Sequence, residues 1–256
     1  MSPAAADPPT TTFYLDSANQ NGSLGGVFTS PYTGHVGDPT SPMIPVICDD
    51  FVDNSIPPQQ WTAYMTSLSD LKQGSADGYL RWGTSNSVQG TYIDAGQGTP
   101  SGSWILNQAL AYDVAAILSI EILNASPGSA QQQDLSYALW GLFDSANPTD
   151  LSDAFNTLST MSLTEDLNAA ENDLANAINQ VQTMNSNGTL SSYLSNYNVT
   201  IYTYAGLGCS GNCDGPPQEF MTVTTPEASA PVLLAVDLSA LFALLGFLRK
   251  RIPKHV

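Results

Sequence analysis

Residues 104–123 read WILNQALAYDVAAILSIEIL. The run holds no Gly or Pro and repeats its apolar residues at helical spacing, which predicts a mostly buried helix. The segments on either side of it decide the class. Upstream, FYLDSANQNGSLGGVFTSPYTGHVG (13–37) carries short β-like runs broken by Gly, Asn and Pro, and Met43–Val52 is the best early strand. Downstream, Asp134–Phe143 (DLSYALWGLF) predicts a second helix after the polar break at 126–133. A third opens at Thr164, read as its N-cap, with Glu165 and Asp166 in the first turn. Apolar residues at 167, 170, 174, 178 and 181 keep its period, and Gly188 is a natural stop. Strands return at Val199–Tyr204 and Glu219–Val223. The expected fold is therefore α+β: a β-rich N-terminal part, central helices, and C-terminal strands, with no fixed-period repeat.

Charge narrows the function. The 256 residues carry 6 Lys+Arg and 23 Asp+Glu, a net charge of −17. Within residues 1–225 the only positive side chains are Lys72 and Arg81, against 21 acids. Such a surface repels phosphate backbones and excludes nucleic acid as a partner for the body. Charged residues make up 11% of the chain, well under the roughly 25% of an average globular domain. Ser, Thr, Asn, Gln, Gly and Pro take their place, a profile that suits an exported protein. The chain opens MSPAAADPPTTTF, without the charged and apolar regions of a signal peptide. Ala4–Ala6, with Asp7 and two prolines next, resembles the start of a mature chain just past a signal-peptidase site, so a leader upstream of the present start is expected.

The other four basic residues close the chain. Thr225–Val256 reads TPEASAPVLLAVDLSALFALLGFLRKRIPKHV. Eleven of the 17 residues from Val232 to Leu248 are Leu, Val or Phe. As a helix they would be about 25 Å long, within reach of a bilayer core of about 30 Å. Their insertion is worth roughly −3 to −7 kcal/mol, against at most about +3.5 kcal/mol for Asp237. Arg249, Lys250, Arg251 and Lys254 come directly after, placing the C-terminus in the cytoplasm and residues 1–225 outside. One transmembrane helix is thus expected.

Pro226-Glu227-Ala228, a short spacer, the apolar span and the Arg/Lys cluster resemble the PEP-CTERM sorting signal of Gram-negative bacteria. The resemblance covers about 30 residues in order, spacing and position. It implies export, retention at the inner membrane through the tail in contact with lipid, and processing by an exosortase that recognises Pro226 and Glu227. It also implies a setting rich in extracellular polysaccharide. Ala228 stands where the signal has its second proline, and Asp237 interrupts the span.

The body offers few candidates for chemistry. Cys48 lies in VICDDFVD, and in a strand it shares a face with Asp50 and Val52 while Asp49, Phe51 and Asp53 share the other. An apolar-Cys motif with Ala138-Leu139-Trp140 later in the chain resembles bacterial surface thioester domains, over roughly residues 44–145. In that family a Gln side chain joins the Cys in an internal thioester, which implies an adhesin role for Cys48. The family's Gln position falls here on Ser136, with Gln131, Gln132 and Gln133 upstream. Asp49, Asp50 and Asp53 do not match the EF-hand pattern and read as a solvated acidic strand edge rather than a calcium site.

Cys209 and Cys213, in LGCSGNCDG, are spaced to close a small disulfide ring. Zinc would need two further ligands, and the only histidines are His35 and His255. A Ser-His-Asp triad would have to use His35, which stands in YTGHVGD with no G-x-S-x-G motif nearby. Trp61, Trp82, Trp104 and Trp140 read as core. No metal or cofactor is expected, and no enzyme.

The organisation expected is a polar segment at 1–12, an extracytoplasmic domain at 13–224, and a sorting segment at 225–256. The function expected is a non-enzymatic surface or extracellular-matrix component, localised first at the inner membrane and then at the cell surface. Two alternatives stand beside it, a thioester-type adhesin using Cys48 and a secreted polysaccharide hydrolase using paired carboxyls. They separate on geometry. The first needs a Gln beside Cys48, and the second needs two carboxyls facing across a cleft.

Overall fold

A computed structural model describes residues 7–18, 22–51, 55–72, 79–82, 87–93, 100–144, 154–212 and 215–225. The strands are β1 (Thr10–Ser17), β2 (Ser23–Leu24), β3 (Val27–Phe28), β4 (Tyr32–Val36), β5 (Ile44–Cys48), β6 (Ile56–Ser67), β7 (Val88–Thr91), β8 (Ser103–Leu106), β9 (Asn198–Tyr204), β10 (Ser210–Asn212) and β11 (Phe220–Thr224). The helices are α1 (Leu68–Lys72), α2 (Gln108–Asn124), α3 (Ala130–Asp144), α4 (Ala154–Thr160), α5 (Thr164–Ser186) and α6 (Leu190–Leu194). The described residues up to Thr224 form one compact unit.

The sheet closes on itself. Its order is β1-β4-β5-β11-β9-β6, every neighbouring pair is antiparallel, and β6 pairs back onto β1 through Phe13↔Trp61 and Leu15↔Gln59. β6 is long enough to take two partners on its other edge, β9 at Ala63–Ser67 and β10 near Gln60. Closure removes the open edges that would invite pairing with other chains. All the helices among the described residues and the β7–β8 hairpin fall between β6 and β9 in the chain, so a helical layer is inserted into a six-stranded barrel.

Two cores arise from the strand alternation. Phe13, Leu15, Val46, Cys48, Trp61, Ala63, Tyr202 and Phe220 fill the barrel, and Phe13 packs on Trp61, Tyr202 and Phe220 with ring centroids 4.9–5.4 Å apart. The intervening residues Ile47, Val199, Ile201, Met221 and Val223 face the other way and pack with the helices. In α2, every residue from Ala111 to Ile120 is buried. A helix that is apolar on all sides belongs in the middle of a layer, and α2 packs against α3, α5 and β11.

These findings correct the expected fold class. The two β-rich ends are one closed barrel rather than separate parts of an α+β order, because the β1–β6 pairing joins segments about 50 residues apart with no local signal. The expected transmembrane helix is not supported: among the described residues no helix is long and apolar enough to cross a membrane. The most apolar one, α2, is interrupted by Asp113 and Glu121 and is covered by the layer around it. Val232–Leu248, Pro226, Glu227, Arg249, Lys250, Arg251 and Lys254 lie outside the described residues.

Element ends shift for local reasons. Residues 104–106 are not helical but form β8, and Asn107 caps α2 by accepting from the Leu110 amide at 2.9 Å. The third helix does start at Thr164, yet its N-cap is Leu163, with no side-chain cap bond.

Gly141 marks a tight helix contact. A Cβ there would lie 2.2 Å from the Phe155 ring, so α3 approaches α4 at a distance only glycine allows. Gly141→Ala is expected to cost about 1–3 kcal/mol through overpacking, read as an earlier urea midpoint with an unchanged slope.

Candidate functional site

The residues with chemical potential gather where β5 ends and β11 begins. β5 and β11 pair through Phe220↔Cys48, which sets Cys48-Asp49-Asp50 beside Gln218-Glu219. Asp49 donates its amide to the Glu219 carbonyl. Cys48, Asp49 and Asp50 are 0% exposed and Glu219 1%. The solvated acidic edge expected for Asp49 and Asp50 is therefore wrong. They are buried where the barrel meets the helical layer, and Asp53 lies outside the described residues.

Burying carboxyls requires partners, and three segments supply them. Tyr112 of α2 donates its hydroxyl to Glu219 Oε1 at 2.6 Å, and the Arg81 amide donates to Oε2 at 2.9 Å. The Thr203 hydroxyl of β9 also donates to Oε2. Arg81 Nε pairs with Asp50 Oδ2 at 2.8 Å. Asp49 differs: neither of its oxygens meets an N–H or O–H donor, and its side-chain partner is the Glu219 carboxyl. Two carboxyls bond only if one keeps its proton. Burial first, and the Glu219 charge second, push the Asp49 carboxyl well above the ordinary range, so Asp49 keeps it. Burial and the same charge push the Tyr112 phenol up.

Cys48 is bound on every polar atom. Its amide donates to Ser30 Oγ at 3.0 Å, its carbonyl accepts from Trp140 Nε1 at 3.0 Å, and its thiol donates to the Asp50 carbonyl at 3.0 Å. Ser136, which stands at the glutamine position of the thioester pattern, accepts from the Ser30 amide at 3.1 Å and donates to the Gln132 carbonyl. The Ala138-Leu139-Trp140 segment thus reaches Cys48 in space, through Trp140. Gln132 caps the far end of α2, bonding Ile122 O and Gly128 N, and Gln131 is exposed. The amide beside Cys48 is instead that of Gln218, whose Nε2 donates to the same Asp50 carbonyl at 2.5 Å. Burial first, then the Asp50 charge, holds the thiol well above its ordinary value, so little nucleophilic thiolate is present.

The remaining candidates lie apart. His35 Nδ1 meets Asp16 Oδ2 at 2.7 Å and its ring stacks on Tyr14, but Nε2 is buried, and among the described residues it has no hydrogen-bond partner that could act as the nucleophile of a triad. Trp61, Trp104 and Trp140 are core, and Trp82 is half-buried against Phe143. No group of three or more His, Cys, Asp or Glu among the described residues could hold a metal ion. Cys213 lies outside the described residues, and with it the expected pairing to Cys209. Compared with known proteins, the chain matches no family model, no curated protein and no solved structure.

Sequence reading missed Glu219, Tyr112, Arg81, Thr203, Gln218 and Ser30 as members of one site. They come from separate places in the chain, and only Pro216-Pro217 before Gln218-Glu219 hinted at a fixed backbone there.

A second acidic group sits among the helices. Burial first, and neighbouring acids second, raise Asp134 of α3 to about 7, and burial raises Asp173 of α5 to about 6. Burial and Asp173 also raise Glu121 of α2. An acid whose carboxyl is raised on folding stabilises the fold below its unfolded value near 4, and that stability is lost as pH climbs to the folded value. Asp49 acts in the same direction. Stability is therefore expected to fall between about pH 4 and pH 7. Because water reaches Asp173 and part of Asp134, a net loss of about 2 kcal/mol is the sensible figure. A melting temperature about 4–8 °C higher at pH 5 than at pH 8 checks it, and equal values or the reverse order would refute it.

Proposed function

We propose that the chain is an exported, non-enzymatic surface or extracellular-matrix protein whose C-terminal segment is a PEP-CTERM-type sorting signal. Delivery to the inner membrane precedes exosortase-type processing at Pro226-Glu227 and display at the cell surface. The observation that carries the reading is the order of the last 31 residues, Pro-Glu, an apolar run, then four of the chain's six basic residues. The state of the body agrees with it. Cys48, Asp49, Asp50 and Glu219 are buried and engaged in packing one seam, whereas a hydrolase would hold two carboxyls open to substrate. Intact mass of the protein recovered from its host tests the proposal. A chain ending near Pro226 supports it, and a body recovered from the cytoplasm with the tail intact overturns it.

A second reading, a thioester-type adhesin, is favoured by one observation. Cys48 Sγ and Gln218 Nε2 bond the same Asp50 oxygen, and Trp140 holds the Cys48 carbonyl. For a thioester to form, Sγ would attack Cδ of Gln218 and ammonia would leave. A nucleophilic amine would then open the bond to an amide and return the thiol. A mass one ammonia below the sequence value, with methylamine added across the bond on treatment, supports this reading, and the full sequence mass with a titratable thiol removes it.

A further inference from the structure

On the outer side of Glu219 lies a groove of about 300 Å3 between β6, β9 and the 79–82 segment. Its walls are Tyr64, Tyr79, Tyr204 and Pro217, and Arg81 and Thr203 reach it from the seam. The Tyr64 and Tyr79 rings meet edge to face with centroids 4.8 Å apart, and Tyr79 is tied down by its hydroxyl donating to Asp7. The Arg81 guanidinium stands 5.3 Å from the centre of the Trp82 ring while its Nε pairs with Asp50. Glu219, almost without exposure, forms the floor, and the tyrosines and Thr203 are half-exposed.

We propose that this groove binds a neutral polysaccharide. The inference rests on the surface-protein reading and names its ligand. Sugar rings present C–H faces that pack on tyrosine and a rim of hydroxyls that both donate and accept, and the groove offers both kinds of surface in one place. A proline-rich peptide also packs on aromatic walls, but its backbone accepts hydrogen bonds without donating them. The Tyr64 and Tyr204 hydroxyls on the walls each donate and accept, which suits the two-way hydrogen bonding of sugar hydroxyls. The ligand is neutral because residues 1–225 hold 21 acids against Lys72 and Arg81, and Arg81 is already matched by Asp50.

The test is affinity electrophoresis of the full chain in mild detergent, through gels containing galactomannan, hydroxyethylcellulose, dextran or alginate. Retardation is expected in at least one neutral gel and none in alginate. Tyr64→Ala and Tyr204→Ala are expected to cut that retardation at least fivefold while leaving the melting temperature within a few degrees. If either alanine variant fails to fold, Tyr64→Phe and Tyr204→Phe keep the rings and remove only the hydroxyls, and a two- to threefold loss is expected. The proposal is overturned if no neutral gel retards the chain, if the tyrosine variants run like the parent, or if decaproline binds at the tyrosines and the sugars do not. Tail processing is read by mass and does not depend on any sugar. A correctly processed chain that ignores every polysaccharide therefore defeats this inference alone.

Discussion

Glu219→Ala is expected to lower stability by about 3–5 kcal/mol, more than most substitutions in a domain of this size can reach. Truncation removes the acceptor for Tyr112 Oη, the Arg81 amide and the Thr203 hydroxyl together, and it leaves Asp49 without its side-chain partner. Each orphaned buried donor costs about 1–3 kcal/mol before relaxation. Because the donors come from α2, β9 and the 79–82 segment, the loss would be felt as loosening between barrel and helices. Urea unfolding should show the shift in midpoint, and amide exchange should rise first in β11 and α2. Glu219→Gln separates shape from charge. It keeps the volume and one acceptor, and imperfect pairing gives an expected cost of about 1–2 kcal/mol. It should also flatten part of the pH dependence, since the Glu219 charge no longer raises Asp49, while the larger contribution of burial stays. A Glu219→Ala protein within about 1 kcal/mol of the parent would mean that water, rather than these donors, satisfies the carboxyl.

The parts of the molecule that could be read from sequence are those whose reasons are local. α2 was legible because a long apolar run without Gly or Pro has few other fates, and α5 because its apolar stripe keeps the helical period. The start of α2 was misread at Trp104-Ile105-Leu106, where the burial alternates: Trp104 and Leu106 are buried and Ile105 is 67% exposed. That is a strand's period, and Asn107 after it is a cap signal. β6 went unseen because Pro57 and Pro58 argue against a strand, yet both precede Gln59, where pairing with β1 begins. The barrel's closure and the carboxyl site were out of reach for a different reason. Both depend on residues brought together from distant segments, and Asp49 and Asp50 violate the expectation that aspartates face water. Trp140 bonds the Cys48 carbonyl across 92 residues of sequence, a contact without a local signal. The glutamine expected near it did not come from the same helix. Gln218, from the segment before β11, stands there instead.

Trp140→Ala is expected to cost about 3–5 kcal/mol and to expose Cys48, and the two effects have separable causes. The indole is 1% exposed and packs on Phe51 and Tyr137 with ring centroids 5.1 and 5.0 Å apart, so truncation opens a large cavity in the helical core. That cavity lies against the groove of about 520 Å3 lined by Phe28, Tyr32, Phe51, Trp140 and Gln218, which gives reagents a route inward. Trp140→Phe retains most of the packing and removes only the N–H to the Cys48 carbonyl, and a cost of about 1–2 kcal/mol is expected. Thiol labelling in the native state distinguishes them. The parent should react with a disulfide reagent only as fast as it unfolds, because Cys48 is buried and its thiol is held in the neutral form. The phenylalanine variant should behave almost alike, and the alanine variant should label many times faster at the same folded fraction. If the parent labels quickly, Cys48 is reached by a motion that the packing of Trp140 does not control. If no variant labels even when unfolded, the sulfur is already bonded, and the thioester to Gln218 becomes the reading to pursue.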